Sequence, residues 1–449
     1  MQTPGRSITL FTFFLGATLH ASFTAPLRAE AKPSQLDQPS KTGTAMSIEQ
    51  IVEVGLRNNP DLLAARQRLV EAQALERQAG LRPNPGLEIS VGNGDVLNSS
   101  GERDWSFAYS HKFELGGKRD RRLNVSRLGI ELARIEITNR ERLLASEIKI
   151  SCAEALAAAR NLRNAEELLR LTSHSLRLAE ARSETGEGAP LEQGLLQVEV
   201  NRLDSDRLAF ATRAENALLG IKLLAGLPLE EDLRILDSLD KTGEDLPSLG
   251  NSVEVALTRR PDLAAARLRE ELAEAEMRMA KSAGTPDLVV QAGYSRVQSS
   301  FDQFGFSQPG GMLIPLRDTD NLITGGISIE LPLTDRNQGN IEAAVARQRA
   351  ARLERESLER IVRQEVLAAT NRLESVRQAL ELFDKGVISR SQENLRIVRG
   401  AYELGELRLI DVIDEQRRLI EIQRTYTELL RDAYIAAVEV EKACGAPVR

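Results

Sequence analysis

Two aspartates lie three residues apart in the segment YELGELRLIDVIDEQRRL, which begins at Tyr402. Asp411 and Asp414 follow Gly405 at a predicted helix start, and residues three apart share one face of a helix. Their carboxylates are therefore expected to point the same way. Such a pair could act in acid–base catalysis, bind a metal ion or line the path of a solute, and the surrounding elements decide among these.

The rest of the sequence gives little support to catalysis or metal binding. It contains no nucleophile–base pair, no glycine-rich phosphate loop and no metal triad. The three histidines are isolated, and the two cysteines, Cys152 and Cys444, lack ligand spacing. We therefore expect no enzyme, no cofactor and no resident metal. A disulfide is conceivable in an oxidising compartment, but we favour buried free thiols.

The composition indicates long helices and argues against nucleic acid as a partner. Aromatic residues make up 4% of the 449 residues and charged residues 28%, a balance typical of helices rich in alanine and leucine. The formal net charge is -7, and no basic run offsets it. Carboxylates outside the Asp411–Asp414 pair are interpreted as solvated helix faces.

The N-terminus has the pattern of an export signal. Arg6 precedes the apolar run ITLFTFFLGATLHASF, and Ala29-Glu30-Ala31 has the small-x-small form of a cleavage site. We predict a signal peptide over residues 1–31; the alternative is a disordered apolar N-terminus. No later run of about 18 apolar residues predicts a spanning helix. An exported chain can still cross a membrane as a closed β-barrel.

The chain is an internal duplication. The segment NNPDLLAARQRL from Asn58 aligns with RRPDLAAARLRE from Arg259, and Gly226 falls on Gly445. Each copy is predicted to contain a helix, two strands, a very long helix and a shorter helix. The predicted domain organisation is a linker and equatorial segment at 32–46, a first repeat at 47–228, an equatorial connection at 229–250 and a second repeat at 251–449.

The predicted strands alternate between apolar and polar residues. In RDWSFAYSHKFEL the side chains of Trp105, Phe107 and Tyr109 are apolar, whereas the residues between them are small or polar. In the second copy, strands are predicted over 287–296 and over 323–333, separated by a longer stretch. This periodicity fits a membrane strand and a half-buried soluble hairpin equally well.

The predicted long helices exclude a compact domain. No proline interrupts the helical pattern from about 118 to 183 or from about 337 to 399, so each helix would be roughly 95–100 Å long. Each is followed by a shorter returning helix, which places tips near 186–190 and 405–408, far from the strands. Four strands cannot close a barrel, for which about eight are needed. Three chains would supply twelve strands.

These features together resemble TolC-like outer-membrane efflux proteins. The resemblance rests on the two PDL boxes, on FELGGKRDRR at the strand-to-helix return and on the Tyr-Gly-DVID pattern at the second tip, and ELGGKR is most similar to the heavy-metal efflux branch. It implies a mainly α fold with membrane β: a homotrimer with a twelve-stranded outer-membrane barrel, a periplasmic α-barrel and a collar. It also implies a passive duct that docks to a periplasmic adaptor (a membrane fusion protein) and an inner-membrane pump.

The resemblance assigns roles to residues at the second tip. Aspartates matching Asp411 and Asp414 line the entrance in the family and would form two acidic rings in a trimer, a device that favours cations. The alternative is helix-start chemistry, in which an aspartate offsets the helix dipole. Tyr402 matches a tyrosine that keeps the entrance shut. Glu192 is the first copy's counterpart of Asp411, and Arg408 lies beside the position of a family gate arginine.

Two further surfaces are predicted. Gly186, Gly405 and Leu407 would contact the adaptor at the helix tips, and Trp105 with its aromatic neighbours would face outer-membrane lipid. The main rival interpretation is a soluble periplasmic adaptor or scaffold, built on a helical hairpin without membrane strands. If the protein is a duct, the pump is expected to select the cargo, because a wide aqueous duct imposes little chemistry on what passes.

Overall fold

The computed structural model describes residues 44–94, 102–184, 190–239, 252–307 and 309–446. The predicted signal peptide at 1–31, most of the predicted linker at 32–46 and the predicted tip residue Gly186 lie outside these residues. No helix in the described part of the chain is long and apolar enough to span a membrane.

The order of elements confirms the internal duplication. A short strand, β1 (Thr44–Met46), precedes the first repeat, which consists of α1 (Ile48–Asn58), α2 (Pro60–Ala79), β2 (Gly86–Asn93), β3 (Arg103–Phe113), α3 (Lys118–Glu184) and α4 (Pro190–Ala225). A second short strand, β4 (Leu233–Ile235), precedes the second repeat, which consists of α5 (Ser252–Arg259), α6 (Pro261–Ala283), β5 (Leu288–Phe306), β6 (Leu313–Ile329), α7 (Gln338–Asp384), α8 (Val387–Glu403) and α9 (Leu409–Cys444).

Local sequence signals set the first helix boundaries. Ser47 Oγ accepts a hydrogen bond from the Gln50 N–H at 3.3 Å, and Gln50 Oε1 accepts one from the Ser47 N–H at 2.9 Å. This is a capping box. Pro60 begins α2, where its missing N–H costs nothing, and Asn59 caps that helix through the Leu62 N–H at 3.0 Å.

The predicted single long helix of the second repeat is wrong. The helix α3 is continuous over 67 residues, about 100 Å at 1.5 Å per residue. Its counterpart is divided into α7 and α8 at Gly386, which has a φ of +107°. Side chains with a Cβ rarely adopt this conformation, so the glycine permits a break that needs no proline. A continuous helix was predicted here because no proline interrupts the pattern from about 337 to 399.

One glycine in each repeat lets the last helix of that repeat pack against its first helices. Gly226 and Gly445 follow α4 and α9 with φ values of +64° and +69°. A Cβ on Gly226 would lie 2.6 Å from the carbonyl oxygen of Asn58, and one on Gly445 would lie 3.0 Å from the Cα of Arg260. Each returning helix therefore ends against the first helix pair of its own repeat. This close approach explains why both copies carry glycine at this position.

The four long strands form one antiparallel sheet in the order β2-β3-β5-β6, so the two repeats meet at the β3–β5 pair. The β5–β6 hairpin is longer than predicted: β5 runs to Phe306 and β6 starts at Leu313, whereas Leu331 and Leu333 lie beyond β6. The longer stretch between the two predicted strands is thus largely paired strand, with an irregularity between Ser300 and Phe304. Separately, β1 pairs with β4 in parallel.

The helices pack around several apolar clusters, of which one lies mainly in each repeat and two join α3 of the first repeat to α6 and α9 of the second. The first core contains Ile51, Leu144 and Ile221, all fully buried, and the second contains Val362 and Val366. A buried polar junction connects the repeats.

In that junction, Arg260 Nη1 lies 2.6 Å from Glu365 Oε2, and Arg260 Nη2 lies 2.6 Å from Asp262 Oδ2. Arg142 of α3 lies 3.8 Å from the same Asp262 oxygen. Both arginines are only 5% exposed, so their charges are compensated at the contact between the two repeats.

Candidate functional site

One face of the sheet is apolar and uncovered. The register places Val91, Trp105 and Arg296 side by side, then Ile89, Phe107, Tyr294 and Ile323, and then Leu87, Tyr109, Ala292 and Gly325. Trp105, Phe107 and Tyr109 are 43–45% exposed, and Ile323 is 84% exposed. We call this surface the apolar face. The structure therefore puts the three predicted lipid-facing aromatics together on it.

The opposite face of the sheet is polar. It carries Ser106 and Ser110 of β3, which alternate with the aromatics, and the paired Ser90 Oγ lies 2.7 Å from Ser106 Oγ. Gln291 and Ser295 continue this face on β5. A sheet with one apolar and one polar face separates two different environments.

A second candidate site lies at the tips of the helices, where the ends of α3 and α8 meet the starts of α4 and α9. An apolar cluster holds these four helices together, and its members are Leu176, Ala179, Leu196, Val200, Tyr402, Leu409 and Ile413. The turn before α9 is fixed by Gly405, which has a φ of +80°. The Gly405 N–H donates to the Tyr402 carbonyl and the Glu406 N–H to the Ala401 carbonyl, which is a Schellman ending.

Tyr402 and Glu192 are joined by a hydrogen bond between the two repeats. Tyr402 Oη donates to Glu192 Oε2 at 3.1 Å. Burial, followed by the negative charge of Glu192, raises the pKa of the Tyr402 hydroxyl, so it remains a donor at neutral pH. The hydrogen bond links α8 to α4, and the two residues predicted at the entrance are in direct contact.

Asp411 and Asp414 lie on one face of α9, as predicted, but they have different partners. Asp411 Oδ2 accepts the Arg408 N–H at 3.0 Å, and the Arg408 Nε lies 3.6 Å from the same oxygen. These contacts are helix-start chemistry. The Asp414 side chain is 64% exposed, and its nearest cationic atom is the Arg417 Nη1 at 3.9 Å. Asp414 is thus the carboxylate of the pair that remains mostly open to solvent.

Glu199 is a buried acid that the sequence analysis missed. It is 1% exposed, and Arg202 Nε of the same helix lies 3.1 Å from its Oε2. Arg417 of α9 donates to that oxygen at 3.0 Å. Burial alone would raise the pKa of Glu199, but the hydrogen bonds from Arg202 and Arg417 outweigh it and hold the pKa below its ordinary value.

Arg417 therefore connects the exposed Asp414 to the buried Glu199 and joins α9 to α4. We call Glu199, Arg202 and Arg417 the tip triad. The interpretation of carboxylates outside the Asp411–Asp414 pair as solvated helix faces is wrong for Glu199. In the sequence, Glu199 and Arg202 have the ordinary spacing of an ion pair on one helix. Only the fold brings Arg417 to Glu199.

The remaining predicted positions are placed as follows. Leu407 is 39% exposed in the turn after α8, beside the highly exposed Arg408.

Cys152 and Cys444 are free and lie in different apolar cores, which confirms the prediction of buried thiols. Burial raises the pKa of the Cys152 thiol to about 12. Among the described residues, no group of three or more His, Cys, Asp or Glu is arranged to bind a metal ion.

The sequence matches a protein family in both repeats. The model of a family described as outer membrane efflux protein aligns with residues 52–227 and 253–446. These two segments make up most of the chain, and each covers the long helices and the strand pair of one repeat.

Individual relatives match over nearly their whole length. The cobalt-zinc-cadmium resistance protein CzcC of Cupriavidus metallidurans is 23% identical over 448 residues, which cover 96% of this chain and 99% of that protein. The pyoverdine export outer membrane protein OpmQ of Pseudomonas putida is 25% identical over 457 residues, which cover 96% of this chain and 92% of that protein.

The fold also matches a solved structure. CusC, whose structures were described in terms of conformational changes during folding and transmembrane channel formation, superposes with a TM-score of 0.72 at 21% identity. The superposition covers 90% of this chain and 93% of that one. The two chains therefore share the same fold over most of their length.

Proposed function

The chain belongs to the outer membrane efflux protein family, and from this premise we propose that it is the outer-membrane exit duct of a tripartite efflux system. The family match over both repeats carries this conclusion. It makes the protein an outer-membrane transport component, and the rival prediction of a soluble periplasmic adaptor is wrong. The small-x-small site at Ala29-Glu30-Ala31 supports export through a cleaved signal peptide.

We propose that the working unit is a homotrimer. The strands β2 and β6 form the two edges of the sheet and have no partner strand on their outer sides in the described chain. Lipid cannot hydrogen-bond such edges, so they need strands from other copies. Three four-stranded sheets make a twelve-stranded barrel, with the apolar face toward outer-membrane lipid and the polar face toward the lumen.

The helix tips form the proposed periplasmic entrance. Threefold symmetry would gather three copies of Asp414 and three of Asp411 around the axis, and rings of aspartate favour cations. The Tyr402–Glu192 hydrogen bond holds the tips of the two repeats together and supports a closed resting state. Gly186, Gly405 and Leu407 are the proposed contacts for a periplasmic adaptor that couples the duct to an inner-membrane pump.

Metal cations are the proposed cargo. The name of CzcC refers to cobalt, zinc and cadmium resistance, whereas the name of OpmQ refers to pyoverdine export. The acidic entrance favours the cationic class. Deletion of the gene should increase the sensitivity of the source bacterium to divalent metal salts, and complementation should restore resistance.

Planar bilayers test the function directly. Protein purified from the outer-membrane fraction should have the mass of a trimer in detergent and should form cation-preferring channels. The double variant Asp411→Ala/Asp414→Ala should remain trimeric and lose most of the cation preference. Asp61→Ala is the matched control, because this exposed acid lies on α2. Unchanged selectivity in the double variant would remove both aspartates from the entrance.

A further inference from the structure

Charge is segregated between the two faces of the sheet near the level at which β3 begins, remote from the long helices, and the β5–β6 hairpin continues beyond this level. Arg103 pairs with Gln298, Arg296 with Trp105, and Arg317 with Ser300, which puts all three arginines on the side of the apolar face. We call Arg103, Arg296 and Arg317 the arginine cluster. Alternation along each strand fixes this assignment, because residues two apart share a face.

The opposite face carries acids at the same level. Asp104 pairs with Val297, which pairs with Asp320, and Asp318 pairs with Ser299. These three aspartates lie on the polar face proposed to line the lumen. At this level the sheet thus carries arginine on the side of the apolar face and aspartate on the polar face. Solvation alone does not require such a separation, because water accommodates either sign on either face.

Aromatic side chains mark the boundary between the apolar face and the arginine cluster. The rings of Trp105 and Tyr294 meet edge to face, with centroids 5.3 Å apart. Tyr294 Oη lies 2.7 Å from Asn321 Oδ1, and Asn321 is the register partner of Arg296. Aromatic residues with one apolar end and one polar end are typical of the level of lipid headgroups. The cluster begins at this level, and the β5–β6 hairpin beyond it carries the further exposed apolar residues Phe304, Phe306 and Leu313.

Two members of the cluster have no internal partner. The side chains of Arg296 and Arg317 are exposed, and neither makes an ion pair or a hydrogen bond with the described part of the chain. The strands β3, β5 and β6 together are about 10 Å wide, because neighbouring strands lie about 4.8 Å apart. Arg317 pairs with Ser300, four residues after Arg296 on β5, so the two arginines are separated by about 14 Å along the strand direction. Guanidinium groups within such an area can reach several phosphates of one layer.

We propose that the arginine cluster binds the phosphate groups of the glycolipid that forms the outer leaflet of the outer membrane. The proposal rests on the proposed function, which places the apolar face in lipid and the long helices in the periplasm. The level at which β3 begins, which is remote from the helices, then lies at the outer leaflet. The guanidinium fork matches phosphate oxygens in a bidentate geometry, which distinguishes this contact from general attraction to a charged surface.

The test measures lipid binding to the purified, detergent-solubilised full-length protein by native mass spectrometry. The probes are bisphosphorylated lipid A, dephosphorylated lipid A and phosphatidylglycerol. Unaltered protein should bind the bisphosphorylated form at least about tenfold more tightly than either other lipid. Arg296→Gln/Arg317→Gln should reduce that ratio to about one. Asp318→Asn/Asp320→Asn, on the opposite face of the same strand end, should keep it.

Two results would overturn the proposal: equal preference in the unaltered and arginine-substituted proteins, or phosphatidylglycerol bound as tightly as bisphosphorylated lipid A. Heat-modifiable migration checks that each variant is folded, and these exposed positions should tolerate glutamine. Channel conductance separates the two levels of inference. A conducting protein without lipid preference refutes only the arginine cluster, whereas a protein that never inserts refutes the duct.

Discussion

Replacement of Glu199 by glutamine should loosen the helix tips. The carboxylate is 1% exposed and receives hydrogen bonds from Arg202 and Arg417, which lie on different helices. Glutamine keeps the size of the side chain but removes the negative charge. Two cationic side chains would then face a neutral group at the contact between α4 and α9.

The structure sets the size of this effect. A hydrogen bond that involves a charged group contributes about 1.5–3 kcal/mol. The side chains of Arg202 and Arg417 are 40% and 50% exposed, so water can solvate both guanidinium groups after the substitution and the lower end applies. We expect a loss of about 1.5 kcal/mol in the free energy of local opening. This corresponds to about 13-fold faster amide exchange in the starts of α4 and α9.

Hydrogen exchange followed by mass spectrometry measures this opening in the detergent-solubilised protein. Glu393→Gln is the control: Glu393 pairs with Arg396 on α8 three residues away, and both side chains are at least half exposed. Such a pair contributes about 0.5 kcal/mol or less, so exchange should change by less than about threefold. Exchange in Glu199→Gln no faster than in this control would refute the role of the tip triad.

The effect of Glu199 should also depend on pH. Its pKa is held below the ordinary value of 4.5, so the folded state binds the proton less readily than the unfolded state does. The stabilisation is therefore complete above about pH 4.5 and is lost as the pH falls through the lowered pKa. At neutral pH the difference between the unaltered protein and Glu199→Gln should be constant. It should disappear at low pH.

Three further predictions concern the entrance, the sheet and the repeat ends. Tyr402→Phe removes the hydrogen bond to the partly exposed Glu192, which should cost the closed state about 1 kcal/mol per copy. The open fraction of a three-copy entrance should therefore rise by about two orders of magnitude in single-channel recordings. An unchanged open fraction would contradict a closing role. Trp105, the single tryptophan, should be quenched by lipid-borne bromine, and insensitivity to it would exclude the lipid-facing assignment. Gly226→Ala places a Cβ 2.6 Å from a carbonyl oxygen of α1 at a φ of +64°. It should reduce the free energy of unfolding by about 2–4 kcal/mol and so lower the melting temperature. Gly220→Ala is the control, because its Cβ meets nothing within 4 Å and the melting temperature should not fall.

Local rules predicted much of the fold. The capping box at Ser47, the start of α2 at Pro60 and the turn at Gly405 each depend on residues within a few positions of one another. The alternation through Trp105 predicted which side chains share a face, because strand geometry has a fixed period of two. The paired aspartates at 411 and 414 followed from helical spacing in the same way.

The features that were missed depend on distant contacts or on competing local choices. Glu199 meets Arg417 only because two hairpins pack together, and no local pattern indicates that contact. Gly386 lies in a sequence that a continuous helix would also tolerate, at a cost of about 1 kcal/mol, so the sequence does not decide between the break and the continuous helix. The extended β5–β6 hairpin has a mixed composition, and pairing between its two strands defines it.

The contact between Gly226 and Asn58 has a consequence for biogenesis. It brings the end of α4 back to the end of α1, so α1, α3 and α4 can pack together once residue 226 has been exported. The β3–β5 pairing, the polar junction at Arg260, the helix tips and the apolar clusters between α3 and the helices α6 and α9 must wait for the second half. In the proposed export from the N-terminus, the leading half of the chain can thus fold first, which shortens the time that unpaired surface is open to proteases.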